Sequence, residues 1–236
     1  MKSSRLAYIG LVSVLTVLHL PAHAASIVFQ QSVNTDLYGV ISDSDYSDFG
    51  DISQILDDFV PVMSANVLSL EWYGSPAITG AQPILDSTYL IRFYEDDNGQ
   101  PATNPIYSQT VAASPVETVS SALRDQYRYA ANISGMAVTP GSTYYLSIVE
   151  TNPATNSSFG DPVWGWANGD NSASNGAYAL DASTGSWIQT SFLSDKDFAF
   201  TLYDTNITVI PIPPALWLFG TGLMGLFGIA RRKQAT

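Results

Sequence analysis

Apolar and polar side chains alternate along Asn66-Val67-Leu68-Ser69-Leu70-Glu71-Trp72-Tyr73-Gly74. A period of two is the mark of a half-buried β-strand. Leu68, Leu70 and Trp72 are expected on one face, and Ser69, Glu71 and Tyr73 on the other. Thr88 to Tyr94 repeats the pattern, with Leu90 and Tyr94 on one face and Ile91 and Phe93 on the other. Thr143 to Val149 is a third run, rich in aromatic and β-branched residues. Further strands are expected over Ile27 to Val33, Gln54 to Val60, Ile106 to Val111, Gln126 to Ala131, Trp187 to Phe192 and Phe198 to Tyr203. Turn signals separate them: Asp97-Asn98-Gly99, Pro140-Gly141, Asn168-Gly169 and Thr184-Gly185. Val119 to Arg124 is the one stretch expected to make a helical turn. Short strands joined by polar turns predict an all-β chain, a single jelly-roll-like antiparallel β-sandwich over residues 25–205. A length of roughly 180 residues suffices for one core, so one domain is expected.

The two ends read as addresses. Met1-Lys2-Ser3-Ser4-Arg5 is a short basic region, and Leu6 to Leu20 is apolar apart from Ser13, Thr16 and His19. Ala22 and Ala24 then form the small-x-small pattern read by signal peptidase, which places cleavage between Ala24 and Ala25 and makes residues 1–24 a signal peptide. The alternative is an uncleaved anchor, for which this apolar stretch is short against a bilayer core of ~30 Å. At the other end, Pro211 to Ala230 is uncharged and stops at Arg231-Arg232-Lys233. A transmembrane helix over about 212–230 is just long enough at ~1.5 Å per residue. Pro213 and Pro214 can open it, Trp217 and Phe219 suit the interface, and the basic stop stays in the cytoplasm. The competing reading is a buried strand and helix of the globular domain. Gly220, Gly222, Gly225 and Gly228 line the helix, and Thr221 and Gly225 would let another helix approach closely.

The order Pro211-Ile212-Pro213-Pro214, glycine-containing apolar helix, Arg231-Arg232-Lys233 resembles the PEP-CTERM protein-sorting signal over residues 206–236. Ile212 stands where the Pro-Glu-Pro core has Glu, as in the Val-Pro-Leu-Pro-Ala variant. The resemblance implies recognition by exosortase, a membrane transpeptidase-like enzyme of Gram-negative bacteria that make exopolysaccharide. It also implies an inner-membrane-anchored precursor with a periplasmic ectodomain, then a place on the cell surface or in the extracellular matrix. A second, looser resemblance lies in the middle of the chain. Asp57-Asp58-Phe59-Val60, Leu70-Glu71-Trp72-Tyr73-Gly74, Ile91-Arg92-Phe93-Tyr94-Glu95-Asp96, Tyr144-Tyr145-Leu146-Ser147-Ile148-Val149, Trp164-Gly165-Trp166-Ala167 and Asp197-Phe198-Ala199-Phe200 look like PEP-CTERM ectodomains of one β-sandwich family, which brings no activity with it.

Composition closes several routes. There is no cysteine, hence no disulfide, thiolate nucleophile or cysteine-held metal cluster. The two histidines, His19 and His23, fall in the expected signal peptide. The remaining chain then has no Ser-His-Asp triad and no histidine metal site. All 21 acidic residues lie between Asp36 and Asp204, against four basic ones, Arg92, Arg124, Arg128 and Lys196, which leaves that region at −17. Such a surface excludes nucleic acid as a partner, and repels anionic polysaccharide unless divalent cations bridge the two.

Asp43, Asp45, Asp48 and Asp51 crowd nine residues and offer hard oxygen donors of the kind calcium takes, without the spacing of an EF-hand. Glu95-Asp96-Asp97-Asn98 and Asn168-Gly169-Asp170-Asn171 are lesser candidates. Solvated turn chemistry is the competing account of all three. Otherwise no cofactor is expected. A glycosidase needs two carboxylates ~5–10 Å apart, for which Glu71 and Glu150 are the pair to examine. Trp164, Trp166 and Trp187 could form a sugar-stacking platform on loops, or anchor the core. The expected role is structural or adhesive rather than enzymatic. Signal peptidase and an exosortase-like enzyme are the expected partners, with exopolysaccharide as a further one. The alternative is a secreted carbohydrate-binding module or glycoside-active enzyme.

Overall fold

The computed structural model describes residues 25–35, 39–42, 52–76, 85, 87–120, 125–151, 164–170, 176–181, 183–190, 192–194 and 196–206. Among them are thirteen strands and no helix. They are β1 (Ile27–Gln31), β2 (Val40–Ile41), β3 (Ile52–Phe59), β4 (Ala65–Pro76), β5 (Ser87–Glu95), β6 (Tyr107–Ala113) and β7 (Glu117–Val119). Then follow β8 (Gln126–Val138), β9 (Tyr144–Glu150), β10 (Trp164–Trp166), β11 (Tyr178–Asp181), β12 (Ser186–Ile188) and β13 (Phe200–Tyr203). The signal peptide, the acidic cluster Asp43, Asp45, Asp48 and Asp51, the Pro211–Pro214 motif, the apolar tail and Arg231, Arg232 and Lys233 lie outside the described residues.

The strands form two antiparallel sheets. In the first, β4 is the spine. One of its edges is divided: β13 pairs along Ser69 to Trp72, and β10 along Gly74 to Pro76. The other edge takes β8. β1 lies outside β13, β2 outside β10 and β7 outside β8. The second sheet runs β12-β11-β3-β9-β5-β6.

Alternation explains how the sheets meet. On β5, Tyr89, Ile91 and Phe93 are buried in the main core, while Leu90 and Arg92 on the other face are half-buried. On β13, Phe200 and Leu202 face the same core from the first sheet. Aromatic rings bridge the layers. Phe59 of β3 lies 5.9 Å from Phe200 and 5.5 Å from Phe29 of β1, while Trp72 of β4 lies 5.1 Å from Tyr89. These spacings are those of favourable edge-to-face and tilted pairs. All seven residues of β9 are buried because it is covered on both faces. Tyr144, Leu146 and Ile148 enter the main core. Tyr145 joins Leu56, Tyr94 and Tyr178 in a second cluster on the outer face, with Trp187 packed against it.

Two expectations are corrected. Leu68 does not share the core face with Leu70 and Trp72; it is half-buried, and Val67 is buried instead. Between the pairs Val67↔Met136 and Ser69↔Asn132, β8 places Ile133, Ser134 and Gly135 opposite the single residue Leu68. Such a bulge reverses which residues face inward. Gly135 makes it possible: its φ is 107°, and a Cβ there would run into the Asn66 side chain. Second, Val119 ends strand β7, paired with β8, rather than opening a helical turn, and residues 121–124 of that stretch lie outside the described residues. Of the two readings left open for Trp164 and Trp166, the core position is the one observed: both lie on β10 and are buried in the main core. The remaining additions, β2 and β11, are short. β2 hydrogen-bonds to β10 and β11 to β3, so each needs a partner that its own sequence does not specify.

Candidate functional site

Asp57 sits on β3 between Ile55 and Phe59, both buried in the main core. Strand alternation therefore turns its carboxylate toward the interior. Asp58, next along the strand, is in register with Tyr145 of β9. The pairing of β11 with β3 reaches only as far as Tyr178↔Leu56. Both aspartates thus lie past the end of β11, where no strand among the described residues pairs with that edge of β3.

The segment leading into β13 comes to this place. The Leu193 carbonyl accepts from the Ala177 N–H at 2.9 Å, and the Gly176 Cα packs on the Ser194 backbone at φ 77°, a conformation that glycine adopts without strain. Four residues on, the Phe198 N–H donates to Asp57 Oδ2 at 2.7 Å. The Asp197 carbonyl accepts from the Gly169 N–H at 2.7 Å, and the Ala199 N–H donates to the Ala167 carbonyl at 2.9 Å. Backbone pairing with 167–169 thus fixes Asp197 beside Asp57.

One carboxylate oxygen from each of Asp57, Asp58 and Asp197 lies within 4.8 Å of the others, and all three residues are buried. Asp57 is fully enclosed, and its Oδ1 has no hydrogen-bond partner among the described residues. Burial raises the Asp57 carboxyl well above the usual carboxylate range. The Phe198 N–H works against that shift, and the negative charges of Asp197 and Asp58 add to it. Around Asp58 stand the phenols of the outer cluster. Tyr145 donates to Asp96 Oδ1 (2.9 Å) and Tyr178 to the Gly99 carbonyl (2.9 Å), which ties the β5–β6 turn down over this face.

The residues singled out from sequence are placed otherwise. Ala25 is exposed at the start of the described chain. Asp96 accepts from the Gly99 N–H at 3.1 Å, the turn-capping role of an aspartate, and Glu95 and Asp97 are exposed. Asn168 is buried, bridged to Phe198 in the ladder. Glu71 and Glu150 are not brought together. Glu71 lies on the outer face of the first sheet, ion-paired to Arg128, which also binds Glu117 at 3.0 Å, and accepting from the Tyr203 hydroxyl at 3.0 Å. Glu150 ends β9 on the interior side, near Tyr89 and Tyr129. Trp164 packs on Tyr89 and Tyr129, and Trp166 stacks on Phe198 at 4.9 Å. Trp187 is half-buried against Tyr94. A recess between β6 and β8, bordered by Gln109, Thr110, Ala112, Ala130 and Asn132, has no carboxylate in its lining.

The sequence reading overlooked the Asp57, Asp58 and Asp197 group. A signal was there: an acid at position 57, midway between Ile55 and Phe59, is an acid at an inward position. No protein-family model matches this chain, and no curated protein matches it.

Proposed function

We propose that the chain is an exported surface or extracellular-matrix protein of a Gram-negative bacterium, with a structural or adhesive role. In this reading it is held by a C-terminal helix or processed there by an exosortase-like enzyme. The observation that carries the structural role is the burial of Trp164 and Trp166. A sugar-stacking platform needs exposed rings in a row. These two are 3% and 0% exposed and fill the core beside Tyr89, Tyr129 and Phe198. Support also comes from Glu71, whose carboxylate is engaged by Arg128 and Tyr203 on an open sheet face. The export and anchoring parts rest on the small-x-small pattern before Ala25, the Pro211–Pro214 motif and the basic stop. The finer jelly-roll-like description of the sandwich belongs to the same proposal, and the pairing of the first strand with the last, β1 with β13, supports it.

Intact-mass measurement of the surface-extracted protein tests the reading, in cells with and without an active exosortase. A chain beginning at Ala25 and ending between Pro211 and Pro214 only when the enzyme is active is the expected result. A mass running from Ala25 to Thr236 in both strains would make the tail a permanent anchor. A chain retaining Met1 and found inside the cell would overturn export itself.

A further inference from the structure

We infer that Asp57, Asp58 and Asp197 form a divalent-cation site that clips the two sheets together, with calcium as the ion that the donor set fits. Two independent observations meet here. The first is geometric. Calcium takes oxygen ligands at about 2.3–2.6 Å, so two ligands on opposite sides of one ion lie about 4.8 Å apart. The three carboxylates each offer an oxygen within that limit of the others. The second is the unpartnered Oδ1 of the fully buried Asp57. A buried acceptor without a partner is costly, and a buried carboxylate beside two others more so. A hard dication removes both costs at once. The donors are all oxygen, which suits calcium better than the softer transition metals. Three carboxylates supply at most six oxygens. One of them, Asp57 Oδ2, already accepts from the Phe198 N–H, so water or backbone carbonyls would complete the shell.

The position gives the site a purpose. Asp57 and Asp58 belong to β3 of the second sheet, and Asp197 leads into β13 of the first. An ion held by all three joins the sheets where β11 no longer covers β3. This site shares no residue with the Asp43, Asp45, Asp48 and Asp51 cluster, and it does not depend on export or on the tail.

The test uses the purified full chain in detergent, stripped with a chelator. Calcium binding is measured by calorimetry, and thermal unfolding is followed with and without calcium. Terbium serves as a luminescent probe, with Tyr145 and Tyr178 beside Asp58 as sensitisers. Calcium at about a hundredfold over its Kd should raise the melting temperature by about 5–10 °C. It should also displace terbium emission. Asp57→Asn and Asp197→Asn should each weaken calcium binding at least tenfold, while Asp45→Asn with Asp48→Asn leaves this site intact. Asn keeps the shape and removes a buried charge, so Asp57→Asn without calcium should melt no lower than the stripped parent chain. Unchanged affinity in Asp57→Asn and Asp197→Asn overturns the site, and so does loss of binding only in the Asp45 and Asp48 variant. Should either buried variant fail to fold, the parent chain decides: no calcium binding and no change in melting temperature would sink the proposal.

Discussion

Phe59 shows how much one residue can carry in this core. Its ring lies within 6.0 Å of Phe29, Phe93, Tyr144 and Phe200, so it touches rings of both sheets. It is also the inward neighbour of Asp57 on β3. Truncation removes a large buried surface and leaves a space between layers that relax only in part. Phe59→Ala is expected to cost about 3–5 kcal/mol. Urea unfolding should show a lower midpoint with an unchanged slope. A cost below about 1 kcal/mol would mean that the layers close over the gap. The neighbouring aspartate was legible only in hindsight: the alternation that places Phe59 inward places Asp57 inward too, but nothing local announces what it meets there.

At the scale of elements, β10 shows why some strands escape a reading of sequence. Trp164-Gly165-Trp166 is three residues long and has no alternation of its own. It becomes a strand because β4 presents Gly74, Ser75 and Pro76 to it. Gly74 is the close approach in that pairing, since a Cβ there would strike the Trp164 indole. Gly74→Ala should push Trp164 away from Tyr89 and Tyr129 and cost about 1–3 kcal/mol by overpacking. Tryptophan fluorescence should report a more exposed indole together with the lower denaturation midpoint. Full stability with unchanged emission would show that β10 can shift freely on β4. The bulge in β8 has the same character. Gly135 in the sequence is an ordinary turn signal, and only the pairing with β4 turns it into the device that sends Val67 inward and Leu68 outward.

For the whole molecule, buried tyrosines set a limit at alkaline pH. Burial raises the phenols of Tyr89, Tyr129, Tyr145 and Tyr203 above the usual value near 10. The Tyr203 phenol is pushed up to about 12, with burial the main cause and the Glu71 carboxylate adding to it. The folded chain keeps these protons at a pH where the unfolded chain releases them. Their contribution is therefore complete below pH 10 and falls as the pH rises, and for Tyr203 it is lost by about 12. Circular dichroism and phenolate absorbance, followed together, should show the buried tyrosines ionising with unfolding rather than before it. Tyr203→Phe should flatten the loss of stability between those two values. Complete ionisation of a chain that stays folded would overturn this account.

Local chemistry in the sequence determined that the described part of this chain is all-β, and it located most of the strands. Period-two alternation and Gly, Pro and Asn turns act over a few residues, so Asn66 to Gly74, Thr88 to Tyr94 and Thr143 to Val149 could be read directly. The tertiary structure decided which faces are inside, which short segments become strands, and which side chains meet. Those outcomes depend on partners distant in the chain. Phe198 and Asp57 are 141 residues apart, and no local pattern encodes their hydrogen bond. The three aspartates come together only because the pairing of 197–199 with 167–169 and the end of β11 leave them one place in common.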